Sequence, residues 1–165
     1  MRSGVRLGVD VGRARIGVAK CDPHGMLATP VETVPRDAHG DADLRRIEEI
    51  GREEGAVEIV VGLPINLQGR RTASTDDAEQ FARRLADRLA AALVPVRLVD
   101  ERLSTVAAQS QLREAGRRSR GSRTVIDQAA AVVILQHALD VERSSGTPPG
   151  HSVDSAASGG EGGTA

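Results

Sequence analysis

The chain has 165 residues, 39% of them hydrophobic, a formal net charge of −1 and a single cysteine, Cys21. That length suits one domain of ordinary size, no apolar run approaches the ~20 residues that cross a bilayer, and a lone cysteine excludes an internal disulfide and cysteine-pair metal sites. With no Trp, no Tyr and one Phe, Phe81, the chain lacks aromatic platforms for unpaired bases, so a nucleic-acid ligand would be held by backbone and shape.

Met1-Arg2-Ser3-Gly4 leads directly into a β-rich run over 5–11, which reads as a cytoplasmic protein without a signal peptide. In that run Val5, Leu7, Val9 and Val11 form one apolar face, while Gly8, Asp10 and Gly12 share the other. An Asp between two residues without side chains is open to something bulky and positive, such as a metal ion holding a phosphate. A second β-rich run covers 15–21. After the turn Asp22-Pro23-His24-Gly25 a third covers 26–34 and completes an antiparallel meander. Leu44, Ile47 and Ile50 mark an amphipathic helix over roughly 41–54, ended by Gly55.

A short strand over 57–61 runs into Gly62-Leu63-Pro64 and a polar loop. Ser74 or Thr75 is placed to cap the next helix, whose buried stripe includes Ala78, Phe81, Leu85 and Leu89. A fifth strand covers 96–99, and a helix runs from Ser104 to about 115. Thr124 opens a last helix that is apolar on every side over 129–135. From Arg143 onward the composition turns to Ser, Gly, Pro and Ala, so residues 1–142 are expected to fold and 143–165 to form a disordered tail. The order βββαβαβαα describes an α/β protein with a five-stranded mixed sheet, an antiparallel meander plus parallel strands, flanked by helices. That is the topology of the ribonuclease H-like fold.

Three acids stand at the ends of these elements. Asp10 is in the first strand, Glu101 at the end of the fifth beside its competitor Asp100, and Asp127 one turn into the last helix. Each has a plainer explanation: a turn with Gly12, a pair with Arg102, a capping box with Thr124. Together they point to metal, because converging carboxylates repel and a divalent ion relieves the repulsion. All-oxygen ligation favours Mg²⁺ or Mn²⁺ over Zn²⁺, and two such ions ~4 Å apart can activate a water and stabilise the leaving oxygen of a phosphodiester.

The net charge hides a local excess, since 113–123 holds five arginines against Glu114 alone. Within it Arg117, Arg118, Arg120 and Arg123, with the smaller pairs Arg13/Arg15 and Arg70/Arg71, are suited to phosphate by their forked donors.

Four motifs in this order resemble the YqgF/RuvX family of ribonuclease H-like proteins over about residues 5–141. They are Gly8-Val9-Asp10-Val11-Gly12 with Arg15-Ile16-Gly17-Val18-Ala19; Val61-Gly62-Leu63-Pro64 with Asn66 and Gly69; Asp100-Glu101-Arg102-Leu103-Ser104; and Ile126-Asp127-Gln128-Ala129-Ala130-Ala131 with Ile134-Leu135-Gln136. Members are known as Holliday junction resolvases and as pre-16S rRNA nucleases. The resemblance implies a catalytic Mg²⁺ or Mn²⁺ cluster on Asp10, Glu101 and Asp127, with the Gly62-Leu63-Pro64 loop and Asn66 bordering the substrate and Arg102 beside the metals. One departure is the run before the last acid, often lysine-rich in the family and here Arg117-Arg118-Ser119-Arg120-Gly121-Ser122-Arg123.

The expected activity is metal-dependent endonucleolytic hydrolysis of structured nucleic acid, either 5′ processing of pre-16S rRNA in ribosome biogenesis or resolution of branched DNA in recombination. Symmetric cutting of a junction calls for a homodimer, and rRNA trimming does not. Two rivals are an ATP-binding protein of the actin and Hsp70 type, which needs two such domains, and a non-catalytic RNA-binding scaffold using the arginine run.

Overall fold

The computed structural model describes residues 2–66, 68–101 and 123–153, with the side chains of 123–125 outside that description. The expected helix after Ser104 and most of the arginine run therefore lie outside the described residues.

The meander forms as the alternation requires. β1 (Arg6–Val11), β2 (Arg15–Cys21) and β3 (Ala28–Pro35) pair antiparallel in sequence. Asp22 builds the second turn by accepting from the backbone N–H of His24, Met26 and Leu27 at 2.8–3.0 Å. α1 (Ala42–Glu54) ends where Gly55 takes a left-handed φ of 63°. β4 (Glu58–Leu63) then lies parallel to β1. α2 (Ala73–Leu89) is capped by Thr72 rather than by Ser74 or Thr75. Thr75 instead closes the capping box from the third position, and its buried hydroxyl donates to the Pro64 carbonyl.

After a 3₁₀ turn at Ala90–Ala92, β5 (Val96–Asp100) pairs parallel with β4, and α3 (Arg123–Ser145) crosses back over the sheet. The sheet has six strands, not five: β6 (His151–Val153) adds antiparallel to the outer edge of β5, giving the order β3-β2-β1-β4-β5-β6. This corrects the expected tail, part of which is ordered. An edge strand needs ladder bonds more than apolar bulk, and Arg97 secures this one by donating to the carbonyls of Pro149 and Gly150 at 2.6 and 3.0 Å. Among the described residues no helix is long and apolar enough to cross a membrane.

Two cores follow from the alternation. Leu7, Val9, Ile47, Val61, Phe81 and Leu85 fill the α1/α2 face, and Ala19, Val60, Val99, Ala131, Leu135 and Leu139 fill the α3 face. At the base of the sheet, Arg6, Glu58 and Glu142 are buried with 1–2% exposure. Arg2 closes this group, its Nε 2.6 Å from Glu142 and its Nη1 2.9 Å from Glu58. Four charges there offset one another.

Candidate active site

Asp10 lies near the C-terminal end of the central strand, and both of its sheet neighbours on the α3 face are glycines. On β2 its partner is Gly17; on β4 the register Val9↔Val61 brings Gly62 alongside. A Cβ on Gly17 would collide with the carbonyl oxygen of Asp127, so this glycine admits the first turn of α3. A Cβ on Gly62 would collide with Oε1 of Glu101 and sit 2.6 Å from Cδ1 of Ile134. The missing side chains thus let Asp127 and Glu101 approach Asp10 from either side.

This differs from the sequence expectation of open space beside Gly8 and Gly12. The space beside Gly8 is taken by α3, since a Cβ there would lie 2.6 Å from Cβ of Leu135, and Gly12 serves the turn against the Arg15 carbonyl. Glu101 follows β5, which is not adjacent to β1. β4 lies between, and Glu101 reaches over Gly62. Parity separates Glu101 from Asp100. Val99 packs on the α3 face, so Glu101 two residues later shares that face while Asp100 points to the other.

The carboxyls influence one another. Burial pushes Asp10 up to about 6, and the charge of Asp127 adds to the effect. Burial likewise raises Glu101 to about 7, with further contributions from Asp10 and Asp100. Asp10 is the shared member of the trio. Among the described residues, however, no three His, Cys, Asp or Glu side chains close into a single three-ligand cage. Oδ2 of Asp127 accepts from Nε of Arg15 at 2.9 Å, so a guanidinium already neutralises it. In donor chemistry the trio fits a hard divalent ion, because every ligand is oxygen and mutual repulsion invites a cation.

The expected phosphate-binding residues separate into groups. Arg13 is exposed in the β1–β2 turn, and Arg15 is engaged with Asp127. Arg70 is exposed at the end of the loop after β4, and Arg71 is tied to Asp76 and Glu79 at 2.8 and 2.7 Å. The Oδ1 of Asn66 accepts from the N–H of Gln68 and of Arg70, so this acceptor shapes the loop and does not face a ligand. Arg102, Arg117, Arg118 and Arg120 lie outside the described residues, as does the side chain of Arg123.

Sequence reasoning missed Arg36. Its Nη1 donates to the Gly12 carbonyl at 2.9 Å, its fork holds Asp77 at 2.8 and 3.0 Å, and it stands 5.4 Å over the Phe81 ring. It fixes the turn that follows Asp10. Its sequence position at the end of a strand, between Pro35 and Asp37, carried no distinguishing signal. Gly17 and Gly62 were detectable, since pairing the strands in register brings both beside Asp10.

A family model described as RuvX: Holliday junction resolvase matches residues 4–141. A Clavibacter sepedonicus protein named "Putative pre-16S rRNA nuclease" is 67% identical over 150 residues, spanning 91% of each chain. One of the same name from Leifsonia xyli subsp. xyli is 61% identical over 155 residues, spanning 93% of this chain and 97% of the relative. In fold the chain is similar to Thermus thermophilus RuvC solved in complex with a Holliday junction substrate, with a TM-score of 0.56 and 18% identity over 88% of this chain and 98% of that one.

Proposed function

The chain belongs to the RuvX family, and from that premise we propose that it is a metal-dependent endonuclease trimming the 5′ side of the small-subunit rRNA precursor in the cytoplasm. The observation that carries this reading is Asp10 set between two glycines, with the carboxyl groups of Glu101 and Asp127 close enough to act on its charge.

Asp10, Glu101 and Asp127 would hold Mg²⁺ or Mn²⁺, which supplies Lewis-acid stabilisation and an activated water for phosphodiester hydrolysis. The remaining work belongs to the chain's own residues. On the α3 face Glu101 reaches over Gly62 beside the apolar side chain of Ile134. Arg36 fixes the turn carrying Arg13, and this exposed guanidinium would take a phosphate oxygen at the rim. Arg70 and the arginines of 117–123 would extend the contact along the backbone. Such binding reads shape and charge with little base readout.

The test is cleavage with Mg²⁺ or Mn²⁺ of a 5′-extended 16S precursor and of a four-way DNA junction, using the unmodified chain, Asp10→Asn and Asp127→Asn. The reading requires precursor cleavage by the unmodified chain and its loss in both variants. Cutting of the junction alone, by a dimer, would replace the rRNA assignment with the junction-resolving one that the family description carries. If neither substrate is cut, the nuclease assignment is refuted.

A further inference from the structure

Arg15 was expected to bind substrate phosphate, yet its guanidinium lies on Asp127 with Nε 2.9 Å from Oδ2. While that contact holds, the Nε donor and the charge of Arg15 are committed to the carboxylate. Arg15 shares its strand face with Gly17, the glycine that admits Asp127. The pair is neither deeply buried nor free in solvent, with side-chain exposures of 37% for Arg15 and 22% for Asp127. A contact of that kind is held weakly enough to be exchanged. A divalent cation brought to Asp127 competes with the guanidinium for the same carboxylate, and the long arginine side chain can move without disturbing β2.

We propose that Arg15 is an exchangeable counter-ion. It neutralises Asp127 while no metal is bound, yields the carboxylate when a divalent ion arrives, and is thereby released to a phosphate of the nucleic acid. The inference rests on the reading of Asp127 as a metal ligand. It makes Arg15 a positioning residue before metal binds and a substrate contact afterwards. It also couples the two ligands, because metal frees the arginine that backbone phosphate needs.

The experiment uses the full chain as the unmodified protein, Arg15→Gln and Arg15→Lys. Mn²⁺ alone is titrated calorimetrically. Removing the competing cation should make Arg15→Gln bind Mn²⁺ about two- to fivefold more tightly, with Arg15→Lys closer to the unmodified chain. The second readout is the salt dependence of binding to a non-cleavable 2′-O-methyl RNA stem-loop. With Mn²⁺ present, Arg15→Gln should reduce the log–log slope by about one; without metal, where Arg15 is held by Asp127, the slopes should coincide.

A merely structural role would weaken Mn²⁺ binding in Arg15→Gln, and that result overturns the proposal while leaving the metal reading intact. Equal slope loss with and without Mn²⁺ overturns it as well. Failure of the unmodified chain to bind Mn²⁺ would refute this proposal and the metal reading together.

Discussion

Replacing Asp10 by Asn should stabilise the metal-free protein while abolishing cleavage. In the folded chain Asp10 titrates at about 6, against an ordinary value of 3.8, because burial and the neighbouring Asp127 disfavour its charge. The unfolded chain releases this proton at lower pH, so between about 4 and 6 the folded state holds more protons and stability falls as pH rises. Above that window the full cost is present, about 3 kcal/mol for Asp10 at 1.36 kcal/mol per pH unit. Asparagine keeps the shape without the charge and should recover about 2 kcal/mol at pH 8, raising the melting temperature by about 4–8 °C. The assay is thermal unfolding at pH 8 in EDTA, repeated at pH 4, where the unmodified carboxyl is protonated and the gain should vanish. With Mn²⁺ the order should reverse, since only the unmodified chain gains from metal. If Asp10→Asn melts at or below the unmodified chain at pH 8 in EDTA, the account of a strained, cation-seeking carboxyl is wrong.

Mn²⁺ affinity should increase as pH rises from 6 to 8, as Asp10 and then Glu101, raised to about 7, lose their protons, and calorimetry across that range would check this. Gly62→Ala places a methyl group where the Glu101 carboxyl lies and should cost about 1–3 kcal/mol in urea unfolding and weaken Mn²⁺ binding. Glu142→Ala removes the nearer of the two buried carboxylates around Arg6, 3.4 Å away against 4.0 Å for Glu58, and should cost about 3 kcal/mol, with metal binding unchanged. Arg97→Ala should speed hydrogen exchange across the β5–β6 ladder and leave the amides of β1 protected.

The meander, α1 with its Gly55 cap and the parallel strands were legible because alternation and helical periodicity are local signals. β6 was not legible. What holds it is Arg97, more than 50 residues distant from Pro149, and composition says nothing about such a partner. At the site the three acids were legible as types at strand and helix ends. The choice of Glu101 over Asp100 awaited the strand's facing, and the role of Gly62 awaited the order of β1, β4 and β5. The weight first given to Gly8 was misplaced for a related reason. A glycine on a strand face opens space without saying what fills it, and beside Gly8 it is Leu135. The pairing of Arg15 with Asp127 spans 112 positions and had no local trace.

The charged group at the base of the sheet bears on how the molecule is made. Arg2 meets Glu142 across 140 positions, so the charges flanking β1 are satisfied only once a helix far along the chain is in place. Until α3 emerges, Arg6 and Glu58 have only half their neighbours, and the α3 side of the sheet stands uncovered. A chain in which α3 has not yet docked therefore carries an apolar sheet face, and covering it depends on contacts of long sequence separation, the kind that form slowly.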